Sequence, residues 1–125
     1  MATIFSVPAI LRVRRSTQSS DKVMTAAYVA EYTNNNPYAW LFSSAEIDLS
    51  AMIALDVVDI RVRKIVEDGG NWRVHHHMQY TGVRPAGHTS VKIGPLLDVF
   101  GVSIEMRQTV GALQTFYVEA FDAIR

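Results

Sequence analysis

The sequence predicts an all-β fold, a two-sheet antiparallel β-sandwich of about eight strands. Three runs carry the prediction, because apolar and polar residues alternate in them from Val58, from Trp72 and from Val102. A period of two places every second side chain on one face of a strand, so that one face is buried and the other meets water. Turn-forming glycines bound the runs. A jelly-roll-like topology is favoured, and an immunoglobulin-like sandwich is the alternative.

The strands are predicted in chain order from the apolar runs and from the turn residues between them. Residues 16–21 form a polar loop, and Asn34–Pro37 is a turn because asparagine tolerates left-handed dihedrals and Pro37 fixes φ. Residues 48–52 suit a short helical turn capped by Asp48 or Ser50. Gly94-Pro95 is expected to end a strand. The predicted strands are 9–14, 22–32, 38–49, 55–66, 71–81, 88–93, 100–109 and 114–123, although 22–32 is rich enough in alanine for a helix.

Two links between strands are predicted to be hairpins, which makes the sheets antiparallel. One contains Gly69-Gly70 and the other Gly111, since glycine supplies the positive φ at which strands reverse. In the first hairpin Arg73 is expected to meet Asp59 or Glu67 across the pair. In the second, residues 105 and 107 are expected to face residues 117 and 119.

Length and composition favour one domain spanning residues 1–125, with an apolar core of its own. The chain has 125 residues, 49% of them hydrophobic, and no cysteine, which excludes disulfides and thiolate metal sites. Twelve basic residues balance twelve acidic ones. A nucleic-acid partner is not expected without a basic excess, and a protein of zero net charge is poorly protected from self-association.

The sequence indicates neither a secretory signal nor a membrane span. The first residues, MATIFSVPAILRVRR, place the basic side chains after the apolar ones, which is the reverse of a signal peptide. No apolar run approaches the roughly 18 residues that a spanning helix needs. We therefore expect no membrane partner, and the absence of cysteine fits a reducing compartment or a particle assembled inside a cell.

Chemistry-bearing residues are sparse, and we predict neither an enzyme nor a cofactor. His75 and His77 would share a strand face, with His76 opposite, and a metal site would need a third ligand such as His88. Solvated histidines are the favoured interpretation, so no metal is predicted. The carboxylates show no acid–base spacing, and no serine lies in Gly-x-Ser-x-Gly.

Partner contact is the function that the surface residues favour. Trp72 and Tyr80 fall on the buried phase of their strand and are expected in the core. The candidate contact residues are the cluster of arginines near the start of the chain and two aromatics after the asparagine-rich turn: Arg12, Arg14, Arg15, Tyr38 and Trp40.

The order of strands and turns resembles that of a family of viral proteins. It runs through Val58-Asp59-Ile60-Arg61-Val62, Gly69-Gly70-Asn71-Trp72, Tyr80-Thr81-Gly82, residues 101–109 and Phe116-Tyr117-Val118-Glu119. Over roughly residues 40–123 this order is similar to small β-sandwich, jelly-roll-like virion structural and decoration proteins of tailed phages and related viruses.

The resemblance implies a virion protein that decorates or cements a capsid, or forms another minor capsid or tail component. It implies contacts with other virion proteins, a homo-oligomer, and assembly into virions in the host cytoplasm. Two alternatives stay open. One is a carbohydrate- or receptor-binding β-sandwich module with exposed aromatics in a row, and the other is a metal-dependent enzyme of cupin type built on the histidine triplet.

Overall fold

The structure, a computed structural model, describes residues 12–35, 43–96 and 100–124, and these ranges form strands and loops without a helix. The all-β prediction is therefore confirmed. No helix in these ranges has the length and apolar character to cross a bilayer. The strands are β1 (Arg12–Arg15), β2 (Ser20–Val23), β3 (Val29–Asn34), β4 (Ser43–Asp48), β5 (Val57–Ile65), β6 (Arg73–Thr81), β7 (Ser90–Leu96), β8 (Gly101–Val110) and β9 (Thr115–Ile124).

The strands form two antiparallel sheets whose order is that of a jelly roll. Sheet A runs β1-β9-β4-β7, and β2 also pairs with β9; sheet B runs β3-β8-β5-β6. Because β1 and β2 lie one after the other along the same edge of β9, they occupy a single strand position. With that position counted once, every link changes sheet except the β5–β6 hairpin, as in a jelly roll. This order favours the jelly roll over the immunoglobulin-like alternative.

The core between the sheets comes in large part from the alternating runs of β5 and β8, as the sequence predicts. Val58, Ile60 and Val62 of β5 lie opposite three residues of β8, and all six are buried; the partners on β8 are Gln108, Met106 and Ile104. Sheet A contributes the second layer of buried side chains, which includes Ile47, Phe116 and Val118. The side chains that β5 and β8 turn away from the core between Asp59 and Arg63 are polar, and their partners follow from the strand register.

The prediction of a hairpin at Gly111 is wrong. Strand β8 pairs with β3 and β5, whereas β9 pairs with β1, β2 and β4, so the link crosses from one sheet to the other. Residues 105 and 107 consequently do not face residues 117 and 119. The hairpin at Gly69-Gly70 is confirmed by the pairing of β5 with β6, but there Arg73 is in register with Lys64 and not with a carboxylate.

The predicted strand 22–32 is two strands in different sheets, β2 and β3. Between them Met24 is buried, its N–H donates to the carbonyl of Gln114, and the carbonyl of Thr25 accepts from the N–H of Gln108. These backbone bonds tie the crossing segment to the end of β8 and to the loop that follows it. The alanines that suggested a helix lie at this crossing and next to it.

Strand β7 continues past Gly94-Pro95, which was expected to end it. A bulge against β4 lies here, where Gly94 has a φ of 90° and a Cβ would lie 2.7 Å from the carbonyl oxygen of Ser43. Glycine lets the two backbones approach at the bulge, so pairing resumes at Leu96. The predicted helical turn at 48–52 consists of hydrogen-bonded turns, and Asp48 caps it by accepting from the N–H of Ser50 at 2.9 Å.

Candidate interaction surfaces

Two of the predicted contact residues lie in described positions with described side chains, and they point to opposite sides of sheet A. Arg14 is in register with Asp122 and donates to it at 3.0 Å, whereas Arg15 donates to the Tyr117 hydroxyl at 2.8 Å and to Glu119. Both arginines are more than half exposed. They are therefore engaged within the chain while their outer surfaces stay available for contact.

The structure describes the other three predicted contact residues only in part or not at all. Arg12 belongs to β1, opposite Ile124, and its side chain is outside what the structure describes. Tyr38 and Trp40 lie outside the described residues. Their role as contacts stays a prediction.

The outer side of sheet A carries an excess of carboxylates, and we call it the acidic face. Its members are placed there by alternation and register: Asp21 and Asp48 both lie opposite Tyr117, and Glu46 lies opposite Glu119. In the described ranges the cations on this side are Arg15 and Lys92, the latter opposite Glu46 on β7. Hydrogen bonding from the Tyr117 hydroxyl lowers the pKa of Glu119 from its ordinary value, and Arg15 lowers it further, so this carboxylate is held in its charged form.

A shallow depression of about 440 Å³ opens on the acidic face. Carboxylates and hydroxyl groups line it: Glu46, Asp48, Ser50, Thr89, Ser90, Tyr117 and Glu119. The hydroxyl of Ser90 donates to Glu46, and Tyr117 is 36% exposed. The depression is therefore open to solvent, negatively charged, and suited to a cationic group.

The outer side of sheet B is arginine-rich, and we call it the arginine face. Arg107 donates to Asp59 at 2.8 Å across β8 and β5, and Arg61 donates to Glu105 across the same strands. Arg63, two residues further along β5, lies 3.5 Å from Glu105. Three guanidinium groups thus share two carboxylates.

Tyr28 covers part of the arginine face. The guanidinium carbon of Arg61 lies 3.9 Å from the centre of its ring, and that of Arg107 lies 4.3 Å from it. Such cation–π contacts hold flexible side chains in fixed orientations. Arg63 has no ring contact of this kind among the described residues.

The Asp59 carboxylate is the buried centre of the arginine face, since its side chain is 2% exposed. Burial raises its pKa, but hydrogen bonds from Arg107 and Gln79 and the charge of Arg107 outweigh burial, so its pKa lies below the ordinary value. The stability that this group contributes is present above the unfolded-state pKa, about 3.9, and is lost as pH falls through the lower folded-state pKa.

We expect Asp59→Asn to lower the free energy of unfolding at neutral pH by about 1–2 kcal/mol, because a charge-assisted hydrogen bond to Arg107 is lost. The difference from wild type should shrink below about pH 4, where the unfolded-state carboxyl takes up a proton, and should vanish as pH falls through the lower folded-state pKa. Urea unfolding at a series of pH values measures it. Glu67→Gln in the exposed β5–β6 loop is the control, and an equal, pH-independent loss in both variants would contradict the assignment.

The histidine triplet lies on β6, at an edge of sheet B, and all three side chains are exposed. His75 is the extra residue of a bulge, because Val62 pairs with His76 and Arg63 with Val74. The bulge interrupts the alternation, so the prediction that His75 and His77 share a face is wrong: His77 approaches Asp59 at 3.6 Å, whereas His75 and His76 line a groove between the sheets. Burial and the nearby Lys64 and His76 lower the pKa of His75.

The described residues contain no group of three or more metal-ligating side chains. Aromatic residues also form no exposed row in the described ranges, where Tyr117 is the one aromatic among the exposed large apolar residues. Tyr80 packs against the core, as predicted, and Trp72 is half-buried. The two charged faces are thus the most distinctive surfaces that the structure describes.

Sequence reasoning missed the arginine face because it assembles residues from distant parts of the chain. Arg61 and Glu105 are 44 positions apart, and Arg107 and Asp59 are 48 apart. The signal in the sequence was the alternation of sign, Asp59-Arg61 on one strand and Glu105-Arg107 on another. Only the register of β5 and β8 turns these pairs into a network.

The fold and its surfaces define a jelly-roll sandwich with two outer faces of opposite charge. No family model and no curated protein matches the chain. Among solved structures, the chain is similar to the infectious bursal disease virus VP2 subviral particle, with a TM-score of 0.51 and 10% identity, over 98% of this chain and 37% of that one. The chain thus spans little more than a third of the viral protein's length, and at this identity the likeness is one of fold.

Proposed function

We propose that this chain is a virion structural protein that acts by binding other virion proteins and further copies of itself. The observation that carries the proposal is the jelly-roll strand order, together with a fold likeness to a viral particle protein over 98% of the chain. Jelly rolls also serve in lectins and cupins, so the fold alone leaves several functions open. The two charged faces favour the binding of proteins over turnover of a small molecule.

The finer role that we propose is capsid decoration or cementing, or that of another minor capsid or tail component. A subunit of this kind binds its partners through the surface that the contact buries, and a stable contact buries roughly 1,200–2,000 Å² in total. Symmetric repetition multiplies weaker contacts through avidity. A chain with no net charge suits this role, because long-range repulsion between copies is small.

Quantitative mass spectrometry of virus particles purified from the source of this sequence tests the proposal. We expect the chain in the particles at a fixed ratio to the major capsid protein, and retained after a salt wash that removes adsorbed proteins. Its absence from particles that are otherwise complete would contradict the proposal. A glycan array with the purified protein addresses the carbohydrate-binding alternative, for which we expect no signal.

A further inference from the structure

We propose that the acidic face of one copy docks against the arginine face of a second copy, with Arg63 entering the depression beside Glu46. The contact joins two different surfaces, so copies associate head to tail. The inference rests on the proposed function, because it names the surfaces through which copies meet.

On the arginine face, the guanidinium group of Arg63 has hydrogen-bond donors left for a partner. Arg61 and Arg107 each donate to a carboxylate and stack on Tyr28. Arg63 has the 3.5 Å contact with Glu105 as its one described ion pair, and its side chain is 30% exposed. A guanidinium carries five N–H donors, and the described ion pair of Arg63 involves Nη1 alone, so donors remain for the carboxylate of a partner.

The acidic face has an excess of carboxylates, and its negative charge complements the positive charge of the arginine face. Glu46 and Glu119 lie directly opposite each other on β4 and β9. Like charges at such positions destabilise a sheet. Arg15 offsets the charge of Glu119, whereas Glu46 accepts from the neutral hydroxyl of Ser90 and has Lys92 in register on the next strand. A cation entering the depression between Glu46 and Asp48 would relieve this repulsion.

The charges of the two faces differ in sign. Among the residues that the structure describes, the acidic face has four carboxylates and two cations, and the arginine face has three arginines and two carboxylates. If two copies docked through the same face, net charges of the same sign would face each other across the contact, which costs free energy. Charge complementarity therefore selects the heterologous contact over a two-fold symmetric one.

The dimensions of a sheet predict that a single contact is weak. Four strands about 4.8 Å apart and about six residues long, at about 3.3 Å each, present roughly 400 Å² per copy. A face-to-face contact of that size lies below the standard range for stable complexes. Heterologous contacts repeat into rings or open chains, so the assembly gains stability from repetition.

The test measures self-association of the purified protein by sedimentation velocity over a concentration series at low and high salt. We expect wild type to associate reversibly and more weakly at high salt, because exposed charges are screened. Arg63→Glu and Glu46→Lys should each weaken association about tenfold or more, since each places like charges together. Arg73→Glu and Glu67→Lys make the same charge changes outside the two faces and should leave association unchanged.

Two rescue experiments separate a direct contact from a general charge effect. Mixing Arg63→Glu protein with Glu46→Lys protein should restore association, because each reversed face meets a complementary one in the other variant. The double variant should likewise associate with itself. Thermal unfolding monitored by circular dichroism confirms that each variant is folded.

Rescue by mixing and in the double variant would support the inference. Association of wild type that neither reversal weakens would overturn the inference and leave the proposed function standing. A wild-type protein that stays monomeric at its highest soluble concentration in low salt would also overturn it, whereas the presence of the chain in particles decides the proposed function separately.

Discussion

Replacing Gly111 by alanine is expected to lower the free energy of unfolding by about 3–5 kcal/mol. Gly111 has a φ of 91°, where an L side chain is strained, and a Cβ there would lie 2.0 Å from Oδ1 of Asp56. Asp56 is itself fully buried and accepts from the N–H of Ile53 at 2.9 Å. The carboxylate cannot withdraw without giving up that bond, so the loop between β8 and β9 must shift. Urea unfolding of the purified variant measures the loss.

Gly87→Ala is the matched control for Gly111→Ala. Gly87 has a φ of 82°, and a Cβ there would meet nothing within 4 Å. Its replacement therefore measures the dihedral strain alone, for which about 1–2 kcal/mol is expected. The difference between the two variants isolates the contact with Asp56. Equal losses in both would show that the buried carboxylate does not constrain the loop.

The sequence predicted the central strands because such a strand is paired on both edges and buried on one face, so its apolar and polar residues alternate regularly. Along β5, Val58, Ile60 and Val62 are buried as the alternation requires, and the fold class follows from runs of this kind. Alternation failed on β6, where Val74 is exposed and His75 sits in a bulge. An edge strand packs against a neighbour on one side only, so its pattern is weakly constrained.

The order of the strands was harder to predict from the sequence than the number and position of the strands, for a physical reason. A glycine with positive φ serves a hairpin and an inter-sheet loop equally well, as Gly69 and Gly111 demonstrate. What sends the chain across the sandwich after β8 is a set of long-range bonds, among them that of Gln108 to Thr25. Of the candidate interaction surfaces, the acidic face contains Arg15, which local sequence had already singled out as a candidate contact, whereas the arginine face required the register of β5 against β8.

Gln108→Leu is expected to lower the free energy of unfolding by about 3–4 kcal/mol, although leucine has a similar size. The Gln108 side chain is buried, and its amide nitrogen donates to the carbonyls of Val110 at 3.0 Å and Ala112 at 2.9 Å. Its amide oxygen accepts from the N–H of Gln114 at 2.9 Å. Leucine makes none of these bonds, so several polar groups of the loop lose a partner. Chemical denaturation with wild type as reference measures the effect.

Gln18→Leu separates the cost of burial from the loss of the bonds themselves. The Gln18 amide also bonds to backbone, donating to the carbonyl of Thr33 at 2.8 Å and accepting from its N–H at 2.9 Å, but it is exposed. Water can replace these partners, so a loss below about 1 kcal/mol is expected. If Gln108→Leu cost no more than Gln18→Leu, the buried amide would not be what holds the crossing between the sheets. A several-fold larger loss would assign to Gln108 the role of closing the end of the sandwich where β8 leads into β9.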